Sequence, residues 1–143
     1  MTSAALTATV DLDAIAHNIS VLRETSRTDV LAVVKADAYG HGAVPVARAA
    51  LAAGAAELGV AVIGEGLALR AAGIDAHITT WLHTNSADFA AAIAADLDLA
   101  LSSRRQLAAV VAAARSAGTT ATVSVKLDTG LGRSGVAPDE WAD

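Results

Sequence analysis

The feature that most constrains the fold is a regular alternation of short β-branched runs with alanine-rich helical runs. After the short run ATVDL at 8–12, five runs predict strands: DVLAVVK, AELGVAV, HITTWL, LDLAL and TATVSVKLD. Their starts recur about every 20 to 28 residues, which is the spacing of βα units in a parallel sheet. The sequence therefore predicts an α/β protein with about five parallel strands.

The helical runs between these strands carry their own start and stop signals. Glycines that follow the last apolar position predict helix ends at Gly54, Gly73 and Gly118. Asn85 and Ser86 precede the run ADFAAAIAA and are expected to cap that helix. One domain without a linker or a low-complexity tail is predicted.

Two architectures fit this pattern. A doubly wound, flavodoxin-like domain has about this length. The alternative is the first part of a (β/α)₈ barrel of the TIM type, which usually needs about 250 residues. Periodicity does not choose between them, but both place ligands at the carboxyl ends of the strands.

Composition narrows the class of protein and its partners. No run reaches the eighteen or so uninterrupted apolar residues of a membrane-spanning helix. The formal net charge of −5 gives no electrostatic reason to expect nucleic acid or an anionic membrane as partner. No cation precedes Arg23, which argues against a signal peptide, so a cytoplasmic protein is expected.

The use of lysine is selective. The chain has two lysines, Lys35 and Lys126, against eight arginines. An amine can lose its proton and attack a carbonyl, whereas a guanidinium stays charged. Both lysines stand in or just past predicted strands, and Lys35 is followed by the glycine-containing segment ADAYGHG. Lys35 is therefore a candidate nucleophile.

Other polar residues receive simpler interpretations. His17, His77 and His83 lack the spacing of metal ligands, so no metal site is predicted. Asp96 and Asp98 flank a strand start and are expected to form a solvated edge.

Two further features lie at the later strand ends. Arg104 and Arg105 begin a helix and are expected to face solvent. GLGRSG at 130–135 matches G-x-G-x-x-G, but it follows the fifth strand and no acidic residue lies about 20 positions on. A flexible loop around Arg133 is the better interpretation.

Four segments resemble one family. The segments are VDLDAIAHNISVLRE, AVVKADAYGHGA, VARAALAAGAAELGVAVIGEGLALRAAGI and VKLDTGLGRSGV, and together they cover essentially the whole chain in order. They resemble bacterial alanine racemases, the fold-type III enzymes that use pyridoxal 5′-phosphate (PLP). The resemblance implies that residues 1–143 are the N-terminal part of the PLP-binding barrel domain, without the C-terminal β-domain.

The resemblance also implies a role for each candidate residue. Lys35 matches the lysine that forms the Schiff base with PLP and acts as one of two acid/base groups. Tyr39 matches the tyrosine that reaches the cofactor phosphate, and Trp81 falls where the family has a large apolar residue near the cofactor. Arg133 matches the arginine that bonds to the cofactor's phenolic oxygen and helps to receive the substrate carboxylate. Lys126 matches a lysine that is carbamylated in some members and orients that arginine.

The activity implied is racemisation of L-alanine to D-alanine for peptidoglycan, by a homodimer. The family's second base is a tyrosine of the β-domain, and Tyr39 is the only tyrosine of this sequence. The chain is therefore expected to be a fragment that is inactive alone. The alternatives are a non-catalytic PLP-binding or flavodoxin-like domain, and a racemase for serine or another small amino acid.

Overall fold

The computed structural model describes residues 6–141, which form one sheet covered by helices. The strands are β1 (Leu31–Val33), β2 (Glu57–Val60), β3 (His77–Thr80), β4 (Asp98–Leu101) and β5 (Val123–Val125). The helices are α1 (Leu12–Ser26), α2 (Lys35–Gly40), α3 (Ala43–Ala52), α4 (Ile63–Ala71), α5 (Phe89–Ala94) and α6 (Arg104–Ala117), and a 3₁₀ turn follows at Pro138–Glu140.

The order of the strands decides between the two architectures. All four pairings are parallel, and the spatial order β1-β2-β3-β4-β5 is the order of the chain. A flavodoxin-like sheet has the order 2-1-3-4-5, whereas consecutive barrel strands pair in sequence. The predicted α/β class is confirmed, and the sheet is a partial barrel of four βα units and a fifth strand.

The two faces of the sheet differ in burial. One face packs against the helices and contains the most deeply buried strand residues, among them Leu58, Ile78 and Leu99, each 0% exposed. On the other face, hereafter the open face, Leu31 and Val33 of β1 are 38% and 39% exposed. The hydrophobic effect therefore holds the helices to one side of the sheet.

The helix boundaries follow their capping residues, with one correction. Ser103 caps α6 by accepting the N–H of Gln106 at 3.3 Å, and Gly118 ends this helix at φ +63° as predicted. The expected cap of α5 at Asn85 and Ser86 is wrong. Asp88 is the cap, because the helix begins at the buried Phe89 and the Asp88 carboxylate accepts the Ala91 N–H at 2.9 Å.

The run ATVDL at 8–12 contributes no strand to the sheet. Its last residues are used by α1, which begins at Leu12, and the Asp11 carboxylate caps that helix through the Ala14 N–H at 2.9 Å. Among residues 6–141, no helix combines the length and the apolar character needed to cross a membrane.

A hydrogen-bonded row crosses the open face near the amino ends of three strands. Asp98 is 8% exposed and accepts hydrogen bonds from Ser124 Oγ at 3.1 Å and from His77 Nε2 at 3.3 Å. The prediction of a solvated edge is therefore wrong for Asp98, because its cross-strand neighbours cover it. Asp96 is exposed as expected.

Candidate functional site

Lys35 stands where β1 ends, at the carboxyl edge of the sheet. Its side chain is partly buried, and the preceding residue Val34 still donates its N–H to Gly59 of β2 at 2.9 Å. The prediction that Lys35 stands at a strand end is confirmed, with Val34 between it and the last residue of β1. Lys126 directly follows β5.

The residues after Lys35, which belong to α2, form one turn of left-handed helix. Four residues of this turn have φ between +51° and +58°, which residues other than glycine rarely adopt: Ala36, Asp37, Ala38 and Tyr39. Left-handed backbone costs about 1–2 kcal/mol per such residue. Within the turn, the Ala38 N–H bonds to the Val34 carbonyl at 2.9 Å and the Ala38 methyl group is buried. The N–H groups of His41 and Gly42 bond to carbonyls of this turn, and two carboxylates add further support.

Asp37 and Glu65 hold the two ends of this turn. Asp37 Oδ1 accepts the N–H of Ala43, the first residue of α3, at 2.6 Å. Glu65 of α4 accepts the N–H of Ala36 at 2.7 Å through Oε1. The turn is thereby connected to the helix that follows it and to the next βα unit.

Tyr39 lies beside Lys35, as the resemblance implies. Lys35 Nζ is 5.8 Å from the centroid of the Tyr39 ring, within the range of a cation–π contact. Tyr39 is 61% exposed, so its ring borders open space at the carboxyl edge. The turn therefore presents an amine and a phenol to the same region.

Trp81 covers the open face at Gly59 of β2. A Cβ atom built on Gly59 would lie 2.6 Å from the Trp81 ring and 2.5 Å from Leu31, so these side chains occupy the space that glycine leaves free. Gly59 pairs with Val33, two residues before Lys35. Trp81 thus provides a flat apolar surface over β2, the strand beside the one that Lys35 follows.

Arg133 lies in a closed loop after β5, and it is exposed. Val136 returns to pair with Leu127, and Lys126 Nζ donates to the hydroxyl of Ser134, the residue after Arg133. Asp128 Oδ1 accepts the N–H groups of Gly130 at 3.0 Å and Gly132 at 3.1 Å. The hydrogen bond from the Gly130 N–H, and to a smaller extent the one from Gly132, lowers the pKa of Asp128 below its usual value.

The two halves of the predicted site lie at opposite edges of the sheet. Lys35 and Tyr39 follow β1, whereas Lys126 and Arg133 follow β5, four strand spacings away. At about 4.8 Å per spacing this is about 19 Å measured along the sheet, and the direct separation across a curved barrel sheet is shorter. Trp81, after β3, stands between them.

Sequence reasoning missed two polar residues near these strand ends. Gln106 is buried, donates to the His83 carbonyl at 2.9 Å and accepts the Ser102 N–H at 2.7 Å. Glu65 is the other. Ser103 and Gln106 have the spacing of a capping box, a local signal that could have indicated Gln106. The Ala36 partner of Glu65 lies 29 residues away along the chain, so no local pattern indicates that contact.

His83 stands at the carboxyl end of β3 and is partly buried. Burial lowers its pKa, and the hydrogen bond between its Nε2 and the Thr80 carbonyl at 3.1 Å opposes that shift in part. Its ring packs edge-on against Phe89 with the centroids 5.6 Å apart. Across residues 6–141, no three His, Asp or Glu side chains are grouped so that they could hold a metal ion.

Comparison with known proteins points to one family. The model of the alanine racemase N-terminal domain matches residues 10–143. The alanine racemase of Mycolicibacterium smegmatis is 62% identical over 135 residues, which are 94% of this chain and 35% of that protein. The alanine racemase of Beutenbergia cavernae is 58% identical over 135 residues, with 94% and 36% covered. The chain thus spans about a third of the length of these relatives.

Solved structures agree with this match. The alanine racemase of the D-cycloserine producer Streptomyces lavendulae superposes with a TM-score of 0.91 at 51% identity, covering 93% of this chain and 35% of that one. A histidine racemase from Leuconostoc mesenteroides superposes with a TM-score of 0.82 at 31% identity, covering 88% and 34%.

Proposed function

This chain belongs to the alanine racemase N-terminal domain family, and from that premise we propose that it forms the lysine-bearing part of a PLP-dependent racemase that interconverts L- and D-alanine. The observation that carries the proposal is the placement of Lys35. Its amine stands at the carboxyl end of β1, beside Tyr39, in a chain that is 62% identical over 135 residues to an alanine racemase.

The side chains at the strand ends suit the groups of PLP. Lys35 Nζ would hold the aldehyde carbon, and the Tyr39 hydroxyl would donate to a phosphate oxygen. The Trp81 ring would lie against the cofactor, and the Arg133 guanidinium would donate to its phenolic oxygen and to the substrate carboxylate. Lys126, carbamylated or not, would orient Arg133 through the loop that contains Ser134.

Bound PLP supplies an electron sink that makes the Cα proton of an amino acid removable. Lys35 Nζ would then take or return that proton on one face of the substrate. Inversion needs a second proton-transferring group on the opposite face. Tyr39, the single tyrosine of the sequence, follows Lys35 on the same turn, so it does not reach the face of the substrate opposite Lys35. We infer that the second group lies outside these 143 residues, so that this chain does not racemise alanine by itself.

The names of the relatives favour alanine as substrate. We further propose that the protein works as a cytoplasmic homodimer that supplies D-alanine for the cell wall. A structure of the alanine racemase from Bacillus anthracis with bound L-Ala-P superposes on this chain with a TM-score of 0.80 at 36% identity. The histidine racemase, at 31% identity, has the same arrangement of βα units. A racemase for another amino acid, such as serine or histidine, is therefore the second candidate.

A chimera tests the proposal. This chain would replace the 135-residue segment that it matches in the Mycolicibacterium smegmatis enzyme, and racemisation of alanine, serine and histidine would be measured by chiral chromatography. We expect alanine to be racemised fastest. Lys35→Ala should lower the rate by about a thousandfold or more, since it removes a proton-transferring group. Arg105→Ala, at an exposed position, is the matched control.

Borohydride reduction with PLP then separates a racemase from a passive binding domain. Reduction fixes the cofactor to the amine that holds it, and peptide mass mapping identifies the lysine. We expect the adduct on Lys35. A folded chimera that is labelled there but racemises none of the three amino acids would support the binding domain, and equal labelling of Lys35 and Lys126 would refute the cofactor site.

A further inference from the structure

Glu65 joins the carboxyl ends of neighbouring strands through its two oxygens. Oε1 accepts the Ala36 N–H at 2.7 Å, directly after Lys35. Oε2 accepts the N–H groups of Ala61 at 2.9 Å and Val62 at 3.1 Å, directly after β2. The Ala61 carbonyl in turn accepts the N–H of Leu82, the neighbour of Trp81, at 2.7 Å. One carboxylate therefore connects the exits of β1, β2 and β3.

Both oxygens have to be acceptors for this arrangement to exist. Three N–H donors converge on the two oxygens, and hydrogen bonds to a charged acceptor are about twice as strong as neutral ones. A glutamine in the same position would accept with its oxygen and turn its NH₂ group toward another donor. The three hydrogen bonds therefore depend on both the negative charge and the two equivalent oxygens of a glutamate.

The bond to Ala36 acts where the chain needs external support. It holds the first peptide of the left-handed turn, whose backbone is unfavourable for Ala36, Asp37, Ala38 and Tyr39. Lys35 directly precedes those residues, and Tyr39 is the last of them. If the first peptide rotates, the direction of the Lys35 side chain relative to Tyr39 and Trp81 changes with it.

We propose that Glu65 is a positioning residue, which orients Lys35 by holding the Ala36 N–H. This rests on the proposed function insofar as Lys35 is the residue that holds PLP. Glu65 itself touches neither the amine nor the reacting atoms. Its second role, at the N-terminus of α4, is separable, because a different oxygen makes those bonds.

The sharpest test removes only the donor. Replacing Ala36 by lactic acid turns its N–H into an ester oxygen and leaves Glu65, Ala61 and Val62 unchanged. Glu65→Gln is the genetic counterpart, and Asp88→Ala, which removes the cap of α5 far from Lys35 in the chain, is the control for general loss of a helix-capping carboxylate. All are made in the 143-residue chain, with folding followed by circular dichroism.

The first measurement is the ratio of PLP labelling at Lys35 to that at Lys126, after borohydride reduction of the same sample. We expect the ester and Glu65→Gln to lower this ratio by about tenfold, since misplacement by about 1 Å can cost about a hundredfold in rate. Asp88→Ala should keep the wild-type ratio. An ester chain that keeps the wild-type preference for Lys35 overturns the positioning role.

The second measurement is amide hydrogen exchange at Ala36, which needs no cofactor. We expect strong protection in the wild-type chain and in Asp88→Ala, and its loss in Glu65→Gln. Fast exchange of Ala36 in the wild type overturns the inference even where the variants fail to fold. Equal labelling of both lysines in a wild-type chain with a protected Ala36 N–H would instead refute the cofactor site alone.

Discussion

Gly135 closes the loop that carries Arg133, in a backbone conformation that favours glycine. Its φ is +132°, and a Cβ atom there would lie 2.7 Å from Asp128 N and 2.9 Å from the Leu127 carbonyl carbon. Both are backbone atoms, which cannot move aside as a flexible side chain would. The return of the loop against Leu127 and Asp128 therefore depends on the missing side chain.

Gly135→Ala should destabilise this loop through strain and steric overlap together. Gly130→Ala is the matched control, because Gly130 has nearly the same φ of +128° but a Cβ atom there would meet nothing within 4 Å. We expect a loss of about 1–3 kcal/mol for Gly130→Ala from backbone strain, and a larger loss for Gly135→Ala. Urea unfolding of both variants measures the difference; equal losses would argue against the close approach.

At the scale of single residues, the sequence predicted which residues carry chemistry better than it predicted which residues they contact. The scarcity of lysine and the segment after it identified Lys35 as a candidate, and the family resemblance added Tyr39 and Arg133. Burial of Asp98 could not be predicted, since its partners His77 and Ser124 are 21 and 26 residues away along the chain. Long-range polar partners leave no local signal, because a carboxylate looks the same whether it is solvated or bonded.

Arg70 connects the elements at the other end of the sheet. Its guanidinium donates to four carbonyl groups, those of Ile74 and Ala76 before β3 and those of Ala95 and Asp96 before β4. The donor–acceptor distances are 2.7 to 2.9 Å. The planar fork of an arginine reaches two loops at once, which the compact ammonium of a lysine does not.

Arg70→Lys should therefore cost about 2 kcal/mol of unfolding free energy, although it keeps the charge. Arg48→Lys is the control, because Arg48 makes one such bond, to the Ala72 carbonyl at 2.9 Å, at an exposed position. That variant should stay within about 0.5 kcal/mol of the wild type. Chemical denaturation compares the unfolding free energies of the two variants, and similar losses would contradict the role of Arg70 in joining the two loops.

At the scale of elements, the sequence predicted existence and type more reliably than boundaries. Helices α1, α3, α4 and α6 follow from their apolar spacing and their caps. The cap of α5 was misplaced because Asn85, Ser86 and Asp88 can all cap a helix. The left-handed turn was not predicted, because two of its four residues are alanines, which favour ordinary helices.

Two groups make the stability of the whole molecule depend on pH in the same direction. Burial lowers the pKa of His83, so the unfolded chain binds this proton more readily than the folded one. Backbone N–H groups, that of Gly130 first, lower the pKa of Asp128, so the folded chain favours the charged carboxylate. In both cases the unfolded state takes up protons first as the pH falls.

The unfolding free energy should accordingly fall in two steps on acidification. The His83 contribution is complete above the ordinary histidine pKa of about 6.5 and is lost as the pH falls below it. The Asp128 contribution is complete above about 3.9 and is lost as the pH falls through the lowered pKa. Urea unfolding across this range should show the first step removed by His83→Gln and the second by Asp128→Asn.

The exposed His17 provides the control for the upper step. His17→Gln should leave the pH dependence as it is in the wild type. A first step that persists in His83→Gln, or disappears in His17→Gln, would assign the effect to another group.

The order of the strands also has a consequence for how this chain assembles during its synthesis. Each strand pairs with the one made just before it, so no strand has to wait for a distant partner. Closing such short loops costs little entropy, and the N-terminal part can fold first while synthesis adds about 5–20 residues per second. A growing chain can thus add one βα unit at a time to a sheet that already exists, and at each stage only β1 and the newest strand present free edges to wrong partners.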